Sequence, residues 1–279
     1  MKCFALLHHP KIPQSKLLAD EIAEWLRERE RMVWLGSALD EQAIAERVTD
    51  FDLVVPMGGD GTTLRTARMT AQHGVPILGI NLGRLGFLAE LTPANWREKF
   101  PSLLAGQYWI EERMMLHAEF WRDGELQQSF EALNDVVISR GELARIVRLP
   151  TYIDGGYLTT YVADGLIVAT ATGSTAYALA VGGPILPPEL KNILLVPIAP
   201  HLSLDRAIVL SQGVKVEVEV STGHRAILTV DGQFHVELQN GDRVLVQASQ
   251  YVSRFVRFQE RMYLYQTLME RLTRHDRGV

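Results

Sequence analysis

Leu53-Val54-Val55-Pro56-Met57-Gly58-Gly59-Asp60-Gly61-Thr62 is the stretch that decides the fold of the first part of the chain. Its apolar, β-branched start predicts a buried strand, and residues 62–73, which lack Gly and Pro, predict a helix. The three glycines between them are expected to take positive φ angles and to let a ligand approach their N–H groups. Because free amides at a helix start favour an anion, the sequence predicts a phosphate-binding loop.

Asp60 is the unusual residue of this loop. A carboxylate repels a phosphate by about 4 kcal/mol when two charges lie 4 Å apart at an effective dielectric of 20. This cost is tolerable if Asp60 faces Mg²⁺ or takes a proton from an attacking hydroxyl. The alternative is that Asp60 caps the following helix, which is a common role for aspartate.

The composition is that of a globular protein and excludes several classes. A chain of 279 residues, 47% hydrophobic and 22% charged, is long enough for one large or two ordinary domains. Its net charge of −5 argues against a general nucleic-acid binder. The single cysteine, Cys3, excludes an internal disulfide framework, as expected for a protein of the reducing cytoplasm.

No membrane anchor is expected from the sequence. The apolar run at the start, Cys3 to Leu7, is too short for a secretory signal. The uncharged stretch 165–188 is of membrane length, but its glycines, prolines and hydroxyl residues would insert poorly. The sequence contains neither a His-Glu-x-x-His motif nor a pair of cysteines, so a transition-metal site is not expected.

The order of predicted elements divides the chain into two domains. Over residues 1–113 strands alternate with helices, among them a helix capped by Ser15 and a buried strand at Pro76–Ile80, so a Rossmann-like α/β domain is expected. Residues 114–258 contain short strands and Asp-Gly turns, which predict an all-β sandwich or open barrel. A terminal helix over residues 260–274 is expected to return to the first domain, which about 259–279 would complete.

Two further stretches of the β-rich half have both a structural and a functional interpretation. Thr172 to Thr175 follow a predicted buried strand at 166–169. One interpretation is that they cap a short helix. The other is that they form a surface for a nucleotide, on which the Tyr177 ring stacks. Asn134-Asp135 interrupts an apolar run. It either marks a bulge or the entry to a strand, or it grips the two hydroxyls of a ribose.

Taken together, these stretches resemble one family, the NAD kinases, which transfer the γ-phosphoryl group of ATP to the 2′-hydroxyl of the adenosine ribose of NAD. The glycine loop alone is only moderately specific, because lipid kinases and phosphofructokinases look similar there. The resemblance extends over most of the chain, in the order 58–62, 79–87, 133–137, 164–177, 182–184, 197–206 and 231–233.

The resemblance implies roles for individual residues. Asp60 would be the base toward the 2′-hydroxyl, while Gly58, Gly59 and Thr62 would cradle the phosphates of ATP. The other cofactor-binding residues, chiefly those lining the dinucleotide site, would be Gly61, Arg65, Phe87, Asn134, Asp135, Arg145, Asp164, Thr175, Ala176, Tyr177, Ala178, Leu179, Ala180 and Gln233.

The resemblance also implies an α/β domain, a β-sandwich domain and a homodimer or homotetramer, with Mg²⁺ or another divalent metal as cofactor and ATP or polyphosphate as donor. This chain departs from the usual pattern at Val162, Ala171, Ala180 and Ala207, and the first of these puts one phosphate contact in doubt. Two alternatives are a lipid kinase of the diacylglycerol type and a dinucleotide-binding regulator without turnover.

Overall fold

The computed structural model describes residues 1–83, 86–142, 145–201 and 204–259. It forms two compact units, the first from Met1–Glu112 with the described chain from Ser253 onward, the second from Arg113–Val252. Within these ranges no helix has the length and apolar character needed to cross a bilayer. The terminal helix predicted over residues 260–274 lies outside the described residues.

The first unit is an α/β fold built on a parallel sheet. Its four strands have the order β2-β1-β3-β4, and every pair in it is parallel. Three short helical segments and two longer helices connect and follow the strands. The elements are β1 (Cys3–His8), α1 (Pro13–Arg27), β2 (Met32–Ser37), α2 (Glu41–Ala45), a 3₁₀ turn (Val48–Asp50), β3 (Leu53–Gly58), α3 (Asp60–Ala71), β4 (Ile80–Asn81) and α4 (Trp96–Leu104).

The central strands of this sheet are buried because helices cover them. Every residue of β3 is buried, as expected for a strand inside a parallel sheet. One core cluster joins alternate residues of β1 and β3 to the apolar stripes of α1 and α4, including Trp96 and Phe100. The carboxyl ends of β1, β3 and β4 therefore lie side by side, with Met57 opposite both His8 and Ile80.

Two local predictions in this unit are wrong. Ser15 does not cap α1, because the helix begins at Pro13 and Ser15 is buried within it; its Oγ accepts the amide of His9 at 2.8 Å. The strand expected over Pro76–Ile80 is reduced to Ile80–Asn81, preceded by isolated parallel bridges of Ile77 with Val54 and Phe255. Backbone pairing with these two partners replaces a continuous ladder there.

The second unit consists of two six-stranded sheets, with the orders β12-β11-β10-β7-β14-β15 and β6-β5-β16-β13-β8-β9. The helical segments are a 3₁₀ turn (Gly173–Thr175) and α5 (Tyr177–Ala180). The strands are β5 (Trp109–Arg122), β6 (Glu125–Ala132), β7 (Asp135–Arg140), β8 (Val147–Ile153), β9 (Gly156–Ala163), β10 (Gly165–Thr170), β11 (Asn192–Ile198), β12 (Ile208–Ser211), β13 (Val216–Glu219), β14 (Ala226–Val230), β15 (Phe234–Leu238) and β16 (Arg243–Arg257).

The two sheets face each other across one apolar core, which makes the second unit a β-sandwich. A single cluster contains Leu116 and Val244 from one sheet and Val168, Leu195 and Leu228 from the other. The fold class expected from the sequence, an α/β domain followed by a β-sandwich, is confirmed.

Two of the Asp-Gly pairs form the tight hairpins that the sequence predicts. Asp123 and Gly124 have φ angles of 52° and 79°, and Asp154 and Gly155 have 50° and 80°. Positive φ at both central residues is the requirement of a type I′ turn, which matches the twist of the flanking strands. Asp231-Gly232, between β14 and β15, also has positive φ at both residues, 51° and 62°.

Candidate active site

The junction of β3 and α3 in the first unit forms the predicted glycine loop. β3 ends at Gly58, Gly59 is the N-cap of α3 and Asp60 is its first residue. Gly58, Gly59 and Gly61 all lack positive φ, so the conformation expected for them is wrong. Gly58 is needed for a different reason, because a Cβ there would lie 2.3 Å from Thr62 Oγ1.

The start of α3 is open on the side of its glycines. A Cβ added to Gly59 or Gly61 would meet no atom within 4 Å. In the described part of the chain, the amides of Gly59 and Asp60 donate to no protein acceptor, whereas those of Thr62 and Thr63 donate to the Gly59 carbonyl. Open amides at the positive end of a helix are suited to phosphate.

The Asp60 side chain does not cap α3. Its carboxylate instead accepts the amide of Phe87 at 2.9 Å (Oδ2) and that of Leu88 at 3.3 Å (Oδ1). Gly86 lies directly against it, since a Cβ there would be 1.8 Å from Asp60 Oδ1. The helix-cap alternative is therefore excluded, and the structure brings together Asp60 and Phe87 from two different loops.

Arg65 lies in the second turn of α3 and forms an ion pair with Glu41, the first residue of α2. The family resemblance implies that Arg65 lines the dinucleotide site. In the structure the guanidinium of Arg65 is directed to the Glu41 carboxylate, and its side chain is partly exposed.

In the second unit the Asn134-Asp135 pair is organised by Asp231. The Asp231 carboxylate accepts three successive amides, from Leu133 at 3.0 Å, Asn134 at 2.8 Å and Asp135 at 3.1 Å. The amide of Asp231 donates in return to the carbonyl of Asp135 at 2.9 Å. A carboxylate that receives several N–H groups fixes the turn containing them.

The same turn is held from a second direction by the loop after β10. Thr170 Oγ1 donates to the carbonyl of Leu133 at 2.6 Å, and the amide of Thr170 donates to the carbonyl of Asn134 at 2.9 Å. Gly173 is packed so closely that a Cβ would lie 2.0 Å from the Asn134 carbonyl oxygen. The loop of residues 170–173 and the pair Asn134-Asp135 thus form one packed group.

Asp135 is the titratable group most affected by its surroundings. It is only 5% exposed and begins β7. Burial, together with the nearby Asp231 carboxylate, raises the pKa of Asp135 to about 7. A carboxyl group that titrates near neutrality in a polar turn is a candidate functional residue.

The hydroxyl groups of residues 172–175 are mostly used within the protein. Ser174 Oγ donates to the Ala171 carbonyl at 2.6 Å and accepts the Leu186 amide at 2.9 Å, and Thr175 Oγ1 donates to the Thr172 carbonyl at 3.0 Å. These hydroxyls form hydrogen bonds within the protein and so hold the loop together. Tyr177 is 45% exposed, so its ring is accessible to a ligand.

The remaining predicted residues of this unit lie at different depths. Asp164 is paired with Arg140, with 3.1 Å between Oδ2 and Nη2. Arg145 is exposed, Gln233 is half-buried, and Ala178 is fully buried against β10 and β11. Ala176 and Leu179 are half-buried and Ala180 is exposed, so the run 175–180 presents only some of its side chains.

Asp231 is the residue that the sequence analysis did not place in the site. It lies in a predicted Asp-Gly turn and in the stretch 231–233 of the family resemblance, without a role of its own, and its amide partners are separated from it by 96 to 98 residues in sequence. The Asp-Gly signal predicts the turn correctly, but nothing local indicates where the carboxylate of that turn points.

The fold is shared with solved kinase structures. Yeast NADH kinase complexed with NADH matches with a TM-score of 0.79 and 26% identity, over 94% of this chain and 84% of that one. An NAD kinase from Archaeoglobus fulgidus in complex with ATP matches with a TM-score of 0.76 and 28% identity, over 94% of this chain and 95% of the other. These structures define a class of kinases named for the pyridine dinucleotides NAD and NADH.

Sequence comparison gives the family. Residues 39–108 match the ATP-NAD kinase N-terminal domain and residues 133–258 the ATP-NAD kinase C-terminal domain. An NAD kinase of Chloroflexus aurantiacus is 42% identical over 97% of this chain and 98% of its own length. That of Heliobacterium modesticaldum is 43% identical over 93% and 94%. The chain belongs to the NAD kinase family, which confirms the resemblance found in its motifs.

Proposed function

We propose that this protein is an ATP-dependent NAD kinase, which transfers the γ-phosphoryl group of ATP to the 2′-hydroxyl of the adenosine ribose of NAD and forms NADP. Family membership over nearly the whole chain is the observation that carries this function. The lipid kinase and the regulator without turnover are not supported, since both matched domains are those of ATP-NAD kinases.

Asp60 is the proposed general base. Each oxygen of its carboxylate accepts one amide and keeps a further lone pair for the proton of the 2′-hydroxyl. The open amides of Gly59 and Asp60, beside the close-packed Gly58 and Thr62, are the proposed site for ATP phosphates. Phosphoryl transfer depends mainly on positioning and charge neutralisation, which these groups are suited to supply.

Mg²⁺ is proposed to enter with ATP. Among the described residues no three His, Cys, Asp or Glu side chains are grouped so that they could hold a metal ion. Mg²⁺ is commonly bound through nucleotide phosphates with only one or two protein carboxylates, so the phosphates of ATP would supply much of its coordination. When bound, the ion neutralises charge on the transferred phosphoryl group.

The dinucleotide is assigned mainly to the β-rich domain, residues 114–258. Asn134 and Asp135 are proposed to accept ribose hydroxyls, because their turn is held rigid by Asp231 and Thr170. The exposed ring of Tyr177 is proposed to contact a base or the nicotinamide ring. The other proposed members of the set are Gly61, Arg65, Phe87, Arg145, Asp164, Thr175, Ala176, Ala178, Leu179, Ala180 and Gln233.

The cellular location, the oligomeric state and the range of substrates are also proposals. The single cysteine supports a cytoplasmic location, and a homodimer or homotetramer is expected from the family resemblance. Light scattering on the purified protein measures the assembly. Replacing ATP by polyphosphate, or NAD by NADH, in the assay described below measures the range of donor and acceptor.

The function is tested by incubating the purified protein with NAD, ATP and Mg²⁺ and measuring NADP with an NADP-specific dehydrogenase. The wild type should form NADP, and Asp60→Asn should lower turnover by about 10²–10⁴ while leaving NAD binding near normal. Phosphorylation of diacylglycerol vesicles, with NAD left unchanged, would contradict the proposal.

Asp40→Asn is the matched control for this substitution. Asp40 is also an aspartate at a helix start whose carboxylate accepts a backbone amide, that of Ala43 at 3.1 Å. It belongs to α2 and has no proposed role in the chemistry. Turnover of Asp40→Asn should equal that of the wild type; an Asp60→Asn variant with equally full turnover would remove the base from the mechanism.

A further inference from the structure

Next to the loop whose amides bind the Asp60 carboxylate, the first unit contains a buried group of three charged side chains. Arg257 is 3% exposed by its side chain, and its partners Glu90 and Glu111 are 1% and 8% exposed. Arg257 Nε donates to Glu111 at 2.8 Å, and Nη1 donates to Glu90 at 3.2 Å. We call these residues the Arg257 cluster.

The Arg257 cluster contacts the loop that holds the proposed base. Arg257 Nη1 also donates to the carbonyl of Leu88 at 3.0 Å. The amide of the same residue, Leu88, donates to Asp60 Oδ1 at 3.3 Å. One residue of the backbone therefore connects the buried guanidinium to the carboxylate, with its carbonyl held on one side and its amide used on the other.

The position of Arg257 itself is fixed by the surrounding backbone. The second oxygen of Glu90 accepts the amides of Phe258 at 2.8 Å and Gln259 at 3.1 Å. The amide of Val256 donates to the carbonyl of Ile77 at 2.8 Å. The end of β16 is thus attached to the segments on both sides of Arg257, so that its guanidinium has little freedom to move.

A purely stabilising role does not account for this arrangement. Burying two carboxylates and one guanidinium carries a desolvation penalty that their attraction does no more than offset, and apolar residues of similar volume often serve stability as well. What apolar residues do not supply is a donor that fixes the Leu88 carbonyl. The rigid, forked guanidinium serves several acceptors in different directions at once, whereas a lysine ammonium is a flexible point charge.

We propose that Arg257 is a positioning residue for phosphoryl transfer: through the Leu88 carbonyl it fixes the loop segment 87–88, whose amides hold the Asp60 carboxylate in place. This inference rests on the proposed role of Asp60 as base. Arg257 touches neither substrate nor reacting atoms in this account, so its effect on the reaction passes entirely through Asp60.

Arg257→Lys is the first test, because it keeps the buried charge and removes the fork. Its kcat should fall by about 10- to 100-fold, the scale of a small misplacement of a catalytic group, while KM for NAD and for ATP stays within about twofold. Arg254→Lys is the matched control. Arg254 lies on the same strand and also joins a glutamate, Glu112, to a backbone carbonyl, that of Gly74, each at 3.2 Å. It should keep wild-type kcat.

A double-mutant cycle with Asp60→Asn separates positioning from general damage. If Arg257 acts through Asp60, Arg257→Lys should change the residual turnover of Asp60→Asn by less than about twofold. An equal loss in both backgrounds, or wild-type kcat in Arg257→Lys alone, overturns the proposal. Full turnover of Asp60→Asn would instead overturn the proposed base, which is a different result.

Glu90→Gln provides a second variant in case Arg257→Lys does not fold. It preserves size and an acceptor for the backbone amides but weakens the hold on Arg257. Its kcat should fall in the same direction, again without a change in KM, and amide exchange in a peptide containing residues 86–90 should become faster. Unchanged exchange and unchanged kcat in a folded Glu90→Gln protein overturn the proposal.

Discussion

Asp231 and Asp135 bind each other through their backbones and a side chain at the same time. The amide of Asp231 donates to the Asp135 carbonyl at 2.9 Å, and the amide of Asp135 donates to Asp231 Oδ1 at 3.1 Å. Asp231, the residue that follows β14, is thereby held against the first residue of β7, next to the pair Val230 and Val136. The substrate-binding turn proposed at Asn134-Asp135 depends on a residue that itself need not touch the substrate.

Asp231→Asn should therefore weaken NAD binding and the fold together. The carboxylate serves three amides with two oxygens, and an asparagine has only one oxygen acceptor, so at least one amide of residues 133–135 loses its partner. We expect a loss of about 1–3 kcal/mol in unfolding free energy and an increase of about tenfold or more in KM for NAD. Denaturant unfolding and steady-state kinetics measure the two effects.

Asp154→Asn is the control for that prediction. Asp154 also occupies the left-handed position of an Asp-Gly hairpin, and its carboxylate accepts the amide of Lys215 at 2.9 Å. That turn is exposed and has no proposed substrate contact. The KM of Asp154→Asn for NAD should remain at the wild-type value. An equal increase of KM in Asp154→Asn and Asp231→Asn would show that Asp231 has no specific effect on the turn at Asn134-Asp135.

Asp135 should make the stability of the ligand-free protein fall as the pH rises from about 4 to about 7. Its pKa is raised to about 7 in the folded state by burial and by Asp231, against about 3.9 in an unfolded chain. Between these values the folded state binds more protons than the unfolded state, so the slope of stability against pH is negative. The full difference is on the order of 4 kcal/mol.

Asp135→Asn is the variant that tests this pH dependence. It cannot ionise, so its unfolding free energy should lack the decrease between pH 4 and pH 7, and above pH 7 it should exceed that of the wild type. Urea unfolding at several pH values in that interval gives the comparison. A wild-type slope that persists unchanged in Asp135→Asn would assign the effect to another group.

Gly86→Ala should lower turnover with little effect on the binding of either substrate. A Cβ at this position would lie 1.8 Å from Asp60 Oδ1, so the carboxylate or the loop has to move. Relieving this contact requires a shift of about 1 Å or more, and a misplacement of that size can cost about 10²-fold in kcat. Gly83→Ala, in the same loop, is the control, because its Cβ would meet only Asn81 Oδ1, at 3.9 Å. Equal kcat values for the two variants would contradict the prediction.

The local parts of the fold were predictable from the sequence because their signals are local. The apolar run 53–57 followed by glycines predicts β3 and the helix after it, although α3 runs over Asp60–Ala71 and not over residues 62–73. Asp123-Gly124 predicts its hairpin because few other residues tolerate positive φ at both positions.

The features that the sequence did not predict depend on contacts between residues that are distant in sequence. β16 runs from Arg243 to Arg257, much longer than the short strands expected for residues 114–258. The partners of Asp60 lie in another loop, and two of the three amides bound by Asp231 lie in the turn between β6 and β7. Residue types indicated that Asp60 matters but gave no indication of which atoms either aspartate contacts.

The last prediction concerns the glycines whose positive φ was wrongly expected. Gly59 and Gly61 have ordinary backbone angles and open space where a Cβ would stand, so the fold does not require glycine at either position. Gly61→Ala should leave the protein as stable as the wild type, or up to about 1 kcal/mol more stable, because Gly61 lies in α3 and alanine favours a helix.

The same substitution should nevertheless impair the enzyme if the open space receives phosphate. A methyl group there would keep the phosphates from the amides of α3, and KM for ATP should rise by about tenfold or more. Because Gly61 is also a proposed member of the dinucleotide set, KM for NAD should rise with it. Gly213→Ala, at an equally open position in the second unit, should change neither stability nor KM. Unaltered ATP kinetics in Gly61→Ala would mean that the phosphates approach from another side, and the proposed ATP site at the start of α3 would have to be abandoned.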